Sequence, residues 1–184
     1  MIVGLTIIEE NMQDMNIKYM QQALDIARRS YHLPGTLPFG AVIVENDRIV
    51  GEGLNRTYEI FDPTSHGEIE AIRDACQRLQ KTDLSGCDLY STCEPCSMCV
   101  STMYLSGIEN LYYASSLIES SEFFGRLANF DSKWMRRINS QDLRVEVGRP
   151  VEQRKMSSTQ ILKTEALLVF EEFLKQNPQT NMTN

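Results

Sequence analysis

The chain of 184 residues is long enough to bury a core of its own, and its length predicts one domain over residues 1–184. Its hydrophobic content of 42% and charged content of 23% are those of a globular protein, which excludes fibrous and disordered classes. The formal net charge of −7 argues against a polyanionic partner.

The first residues give no targeting signal. The run from Met1 to Ile8 is apolar, but Glu9 and Glu10 follow it and no basic segment precedes it. The run is too short to span a membrane and has the wrong charges for a secretory signal. We therefore expect a cytoplasmic protein with no membrane partner. In that compartment the five cysteines predict free thiols or a metal site rather than a disulfide framework.

Helical and strand periodicities alternate along the chain, which favours an α/β fold. The core is expected over about residues 14–150, and the turn pair Asn46-Asp47 predicts a hairpin, so the sheet should be mixed. The predicted elements, in chain order, are a helix over 14–31, strands over 39–45 and 48–53, a helix from 63 to about 80, a strand over 87–92, a helix from 95 to about 107, a strand over 109–115, helices over 117–127 and 133–138, a fifth strand over 143–147 and a final helix over 158–175. The polar tail, 177–184, is expected to fray.

Two short segments carry the residues best suited to chemistry, His66-Gly67-Glu68 and Pro95-Cys96-Ser97-Met98-Cys99. Cys96 and Cys99 are three residues apart at a predicted helix start, so both thiols lie on the same face of the helix. One imidazole and two thiolates make three ligands, which leaves tetrahedral Zn²⁺ an open position for water. Zinc lowers the pKa of that water towards roughly 7, and a carboxylate such as Glu68 can carry its proton. The two segments therefore predict a catalytic zinc site.

Two alternatives for these segments stay open. Ser65 and Glu68 fit a capping box, in which the Glu bonds back to the helix start instead of serving catalysis. Against it, Glu68 lies near the apolar stripe of its helix, where an ionised carboxylate without a partner is costly. Cys93 is a candidate fourth ligand, which would close the zinc site and exclude the reactive water.

The chain resembles the cytidine deaminase superfamily, within it the branch of guanine, cytosine and tRNA adenosine deaminases, and carries the H-x-E…P-C-x-x-C signature of zinc-dependent base deaminases. The resemblance runs from about Leu37 to Ser115. Beyond the two segments above, it rests on Pro38-Phe39-Gly40-Ala41-Val42, Gly53-Leu54-Asn55, Asp62-Pro63-Thr64 and Cys93-Glu94. It implies a three-layer α/β/α fold around a mixed five-stranded sheet. It also implies Zn²⁺ held by His66, Cys96 and Cys99, with Glu68 as the catalytic acid/base.

The resemblance points to substrate contacts as well. In the relatives the Asn of a Gly-x-Asn segment contacts the base, which indicates Asn55; taken alone, that residue would be assigned to a turn. An acidic residue in a Phe-Asp-Asp segment helps guanine-type relatives to bind substrate. Phe130-Asp131-Ser132 is the nearest match, so Asp131 is a second candidate. Guanine and tRNA adenosine deaminases usually carry Ala between the His and the Glu. Gly67, familiar at this place from fungal cytosine deaminases, leaves the exact base open.

The expected activity is hydrolytic deamination of a free nucleobase such as guanine, with release of ammonia. One alternative is a tRNA adenosine deaminase, for which the only candidate surface is residues 126–155, with eight basic and four acidic side chains. Others are deamination of cytosine or isocytosine, and a zinc-stabilised interaction module without catalysis. Relatives form dimers, so we expect a homodimer, with residues 103–105 and 112–113 available for an interface or for the core.

Overall fold

The computed structural model describes residues 2–131 and 138–176, and side chains within those ranges from residue 14 onward. The tail at 177–184 and all but the last residue of the short helix predicted over 133–138 lie outside the described residues. The chain divides into two compact units whose boundary lies between Arg144 and Val145. Among the described residues, no helix combines the length and the apolar character that a membrane span requires.

Helices and strands alternate through the first unit, which confirms the predicted α/β class. The elements are α1 (Ile2–Arg28), β1 (Leu37–Glu45), β2 (Arg48–Asn55), α2 (Gly67–Leu79), β3 (Cys87–Cys93), α3 (Ser97–Ser106), β4 (Asn110–Ser115), α4 (Leu117–Phe130), α5 (Ser140–Gly148) and α6 (Lys163–Gln176). Short 3-10 turns lie at Arg29–His32 and Val151–Gln153.

The sheet is mixed, as expected from the hairpin, and its strand order is β2-β1-β3-β4. β1 is antiparallel to both β2 and β3, whereas β3 and β4 are parallel. Asn46 and Asp47 have φ of 48° and 60°, the left-handed pair that a two-residue hairpin turn requires. The register brings Glu45 opposite Arg48 and Leu37 opposite Asn55. The hairpin turn therefore lies at one end of these two strands, and Asn55 lies at the other end.

Helices cover both faces of this sheet. Successive side chains of β1 point to opposite sides. Val42 packs in a buried cluster with Tyr19 and Ile26 of α1. Its neighbour Ile43 packs in a second cluster with Ala71 of α2 and with Met103 of α3. The sheet is therefore the middle of three layers, with α1 on one side and α2 and α3 on the other.

The described residues form four strands rather than the predicted five. Residues 143–147, predicted as a strand from their alternating pattern, lie in α5. The reason is local: the Asn139 side chain accepts a hydrogen bond from the Asp142 N–H at 2.8 Å and donates to the Asp142 carboxylate at 2.9 Å. An Asn that caps a first turn in this way favours a helix, and in this case the cap outweighs the two-residue periodicity.

In the second unit, α6 begins at Lys163 instead of 158, because Leu162 has a left-handed backbone with φ of 52°. Its large apolar side chains are at least half exposed within the described residues; they are Leu167, Leu168, Val169, Phe170, Phe173 and Leu174. The helix therefore buries no apolar stripe of its own.

Two glycines let α2 lie unusually close to the sheet. A Cβ added to Gly53 of β2 would lie 2.0 Å from the Gly67 carbonyl oxygen, and a Cβ on Gly67 would lie 2.7 Å from the Phe39 carbonyl oxygen. Real side chains do not tolerate contacts this short. The first turn of α2, with His66 and Glu68 on either side of Gly67, is consequently held directly against the backbones of β1 and β2.

Candidate metal centre and active site

His66, Cys96 and Cys99 converge at the starts of two helices. The Cys96 and Cys99 sulfurs are 3.7 Å apart, and they lie 3.7 and 3.5 Å from the His66 Nδ1 atom. Tetrahedral zinc with Zn–S bonds of about 2.3 Å and a Zn–N bond of about 2.0–2.1 Å separates two sulfurs by roughly 3.8 Å and a sulfur from a nitrogen by roughly 3.6 Å. The three donors are therefore already spaced as one zinc ion requires.

The helix starts direct these side chains towards one another. His66 is the N-cap residue of α2 and Cys96 is the N-cap residue of α3, and neither side chain makes a capping hydrogen bond. Cys99 follows in the first turn of α3, three residues after Cys96. Free N–H groups at a helix start create a positive potential that favours thiolates. The side chains of these two N-cap residues thus face the candidate metal site and do not cap their own helices.

The Cys96 and Cys99 thiols have pKa values shifted in opposite directions. The Cys99 thiol, and after it His66, lowers the pKa of Cys96, while the Cys96 sulfur and burial raise the pKa of Cys99. Metal binding requires both sulfurs to be ionised, so binding should release protons.

Glu68 is 6% exposed and lies in the first turn of α2, beside the thiols. Burial raises the pKa of the Glu68 carboxyl group. The capping-box alternative is wrong, because the N-cap is His66 and the Ser65 hydroxyl donates instead to Glu70 at 3.0 Å. A buried carboxyl group that holds a proton readily, next to a metal site, is suited to proton transfer.

A small cavity of about 30 Å³ opens beside these residues. Its lining residues are Phe39, Asn55, His66, Glu68, Cys93, Glu94, Cys96, Leu117 and Ser120. Asn55 is 2% exposed, and its side-chain oxygen accepts a hydrogen bond from the Thr57 N–H at 3.2 Å. The structure therefore places Asn55 in the lining of the same cavity as Glu68.

Asp131, the second predicted substrate contact, ends α4 as its C-cap and is not among the residues that line the cavity. Cys93 does line the cavity, but it is outside the three-residue donor cluster found among the described residues. Its thiol donates to the carbonyl oxygens of Glu94 and Ser116, at 3.5 and 3.8 Å. Three ligands and an open position are thus the arrangement that the geometry favours.

Four residues in the cavity wall were not predicted as site residues, namely Phe39, Glu94, Leu117 and Ser120. Phe39 of β1 stacks on Phe124 with ring centroids 5.7 Å apart. Leu117 and Ser120 reach the cavity from α4. The Pro38-Phe39-Gly40 segment carried a signal for Phe39, because it is one of the anchors of the resemblance. No sequence signal identified Leu117 or Ser120.

Comparisons with known proteins agree with this geometry. Residues 13–115 match the family described as the cytidine and deoxycytidylate deaminase zinc-binding region. The chain is 33% identical to guanine deaminase from Bacillus subtilis over 153 residues, covering 83% of this chain and 90% of that relative. It is 40% identical to tRNA-specific adenosine deaminase from Aquifex aeolicus over 97 residues, covering 53% of this chain and 64% of that relative. The solved structure of the Bacillus subtilis guanine deaminase superposes with a TM-score of 0.75 at 28% identity, covering 90% of this chain and 98% of the other.

Proposed function

Because the chain belongs to the cytidine and deoxycytidylate deaminase family, we propose that it removes the amino group of a free nucleobase, with guanine as the preferred substrate. It is a hydrolytic deaminase that acts on C–N bonds. The observation that supports guanine is the length of the similarity. Guanine deaminase aligns over 83% of this chain, and its structure over 90%, whereas the tRNA-specific relative aligns over 53%.

Zinc is the metal of this family, and we assign His66, Cys96 and Cys99 as its ligands, since their spacing fits a tetrahedral ion. A zinc ion held by these three side chains would supply hydroxide at neutral pH, because zinc lowers the pKa of a bound water molecule to about 7. Three protein ligands would leave one position of a tetrahedral zinc ion open.

Glu68 is the proposed proton carrier. It accepts a proton from the attacking water and delivers it to the ring nitrogen next to the amino-bearing carbon. A new C–O bond then forms at that carbon. Glu68 next takes the proton of the attached hydroxyl group and transfers it to the amino group. The C–N bond breaks as the C=O bond of the product forms, and ammonia is released. Burial, which raises the pKa of Glu68, suits a group that must gain and lose a proton within one turnover.

The ring is held by the cavity wall. Asn55 is buried beside Glu68, and its amide group suits hydrogen bonding to a polar edge of the base. Phe39 offers an aromatic surface on the same wall, and aromatic side chains commonly stack on bases. Asp131 stays a proposed second contact.

Ammonia release tests this function. We expect zinc-loaded protein to turn over guanine faster than isocytosine, cytosine, adenosine or a tRNA anticodon stem. Glu68→Gln should keep zinc and lose about 10²- to 10⁴-fold in kcat, because a general acid–base group contributes about that much. Glu70→Gln is the matched control, since Glu70 lies on the same helix outside the cavity and bonds to Ser65. Full turnover by Glu68→Gln would refute the mechanism.

A tRNA adenosine deaminase is the second candidate function. It is favoured by the 40% identity to the Aquifex aeolicus enzyme and by the basic stretch over 126–155. Binding to phosphates weakens steeply with salt. A tRNA substrate therefore predicts a KM that rises steeply with salt, whereas a free neutral base predicts little change. Zinc content without ammonia release from any substrate would favour the non-catalytic interaction module.

We also propose that the protein is a cytoplasmic homodimer with a single deaminase domain over residues 1–184. Tyr104, Leu105 and Tyr113 are 82%, 88% and 50% exposed, which supports an interface there, whereas Met103 is buried in the core. Sedimentation velocity at micromolar concentration tests the assembly. A mass of one chain, 21.1 kDa, across the accessible concentration range would exclude a dimer.

A further inference from the structure

Glu94 connects three parts of the first unit through one carboxylate. Its Oε2 atom accepts a hydrogen bond from the Leu117 N–H at 3.0 Å, and its Oε1 atom accepts one from the Arg144 Nη2 at 2.6 Å. Its own N–H donates to the Ser115 carbonyl oxygen at 2.7 Å. Glu94 lies two residues before Cys96, so these bonds join the zinc-ligand segment to the start of α4 and to α5.

The start of α4 is also the wall of the cavity. Leu117 is the first residue of α4, and both Leu117 and Ser120 line the cavity and are 6% exposed. The first N–H groups of a helix have no acceptor within the helix, and Glu94 provides one for Leu117. The distance between the zinc-ligand segment and this wall is thus set by the Glu94 carboxylate.

Arg144 controls how that carboxylate is oriented. A guanidinium that holds one oxygen through a charge-assisted hydrogen bond restricts rotation of the carboxylate, which keeps the other oxygen on the Leu117 N–H. The Arg144 side chain is 49% exposed and that of Glu94 is 26% exposed. Arg144 belongs to the basic stretch over 126–155, and its charge faces an acidic partner in the same chain.

We propose that Glu94 and Arg144 are positioning residues for deamination, which hold the α4 wall of the substrate cavity against the zinc-ligand segment. This inference rests on the function proposed above. Glu94 lines the cavity, but each of its two oxygens accepts a hydrogen bond, one from Arg144 and one from the Leu117 N–H, so the pair acts by holding the wall in place and not on the reacting atoms. Their loss should change how well the base is held, which affects KM, and leave the proton transfers, which determine kcat, nearly intact.

A double-mutant cycle tests the pair. Arg144→Met should raise KM by about 1.5- to 5-fold, the range expected for a partly exposed ion pair, and change kcat by less than about twofold. Glu94→Gln should raise KM by a similar factor, and the double variant by no more than either single variant, because both remove the same interaction. Arg144→Lys, which keeps the charge, should restore most of the loss. Arg149→Met is the matched control, since Arg149 pairs with Glu146, three residues before it, and its KM should equal that of wild type.

The outcomes separate this inference from the proposed substrate. If wild type releases ammonia from another base and not from guanine, the guanine proposal fails, and the cycle is run on the base that is turned over. Unchanged KM in Arg144→Met, or additive effects in the double variant, would overturn the positioning role. Zinc content and melting temperature are measured for every variant. Loss of zinc, or a large fall in melting temperature, would assign the pair to metal binding or to global stability and would also overturn the inference.

Discussion

Replacing Gly67 by Ala, which adds one methyl group, should lower kcat/KM more than it lowers the free energy of unfolding. The new Cβ would lie 2.7 Å from the Phe39 carbonyl oxygen and 3.2 Å from the Phe39 carbonyl carbon. These are backbone atoms of a central strand, which cannot move aside as a flexible side chain can. The first turn of α2 must therefore shift, and it carries the proposed ligand His66 and the proposed proton carrier Glu68.

The magnitudes decide the expected result. Overpacking costs about 1–3 kcal/mol, whereas replacing Gly by Ala in a helix gains up to about 1 kcal/mol. The net loss in the free energy of unfolding is thus modest, at roughly 0–3 kcal/mol. Displacement of catalytic groups by about 1 Å, by contrast, can cost about 10²-fold in rate. We expect Gly67→Ala to lower kcat/KM by about 10- to 100-fold while the protein remains folded.

Gly125→Ala is the matched control, because Gly125 lies within α4 and a Cβ added there meets nothing within 4 Å. It should raise the free energy of unfolding slightly and leave turnover unchanged. Steady-state ammonia release, metal analysis and urea unfolding of both variants complete the test. If Gly67→Ala retained wild-type kcat/KM and zinc content, the argument from close packing would be refuted.

Three further predictions follow from the site and its surroundings. Asn55→Ala should lower kcat/KM by about 10-fold or more, because losing a buried hydrogen-bonding group costs about 1–3 kcal/mol; steady-state kinetics with the best base would show this, and wild-type kinetics would exclude a role in binding. Removing the metal with a chelator should abolish ammonia release and lower the melting temperature. The reason is that zinc at about 1,000 times its Kd stabilises the folded state by about 4 kcal/mol. An unchanged melting temperature would contradict a preformed zinc site. Hydrogen bonds from the Ser116 N–H and hydroxyl lower the pKa of Glu119 below its ordinary 4.5. The folded state therefore binds the Glu119 proton more weakly than the unfolded state does. The free energy of unfolding should fall as pH drops through and below about 4.5. Glu119→Gln should make that dependence shallower, which urea unfolding between pH 3 and 6 can measure.

The proposed zinc ligands could be identified in the sequence because their chemistry is local. Cys96 and Cys99 lie within one helical turn, and His66 and Glu68 lie within another, so each segment could be interpreted without knowing the fold. Only their convergence required the structure. Asn55 was predicted through resemblance alone, since Asn in a turn is common and carries no signal of its own.

The cavity wall could not be predicted in the same way. Leu117 and Ser120 reach the site because Glu94, 23 residues before Leu117, fixes the start of α4, and no short-range pattern records such a contact. The strand predicted over 143–147 failed for a related reason. Two-residue alternation is shared by strands and by partly exposed helices, and the cap at Asn139 that decides between them lies outside the alternating run.

The separation of the donors along the chain has a consequence for how the protein reaches its native state. His66 and Cys96 are 30 residues apart, and the intervening chain contains all of α2 and β3. Bringing the ends of such a segment together costs about 3 kcal/mol of chain entropy. This cost opposes the binding of one ion by both His66 and Cys96 in the unfolded polypeptide. Metal capture should accordingly come late during refolding, after the sheet has assembled, and an ion offered earlier would bind only the adjacent pair of thiols.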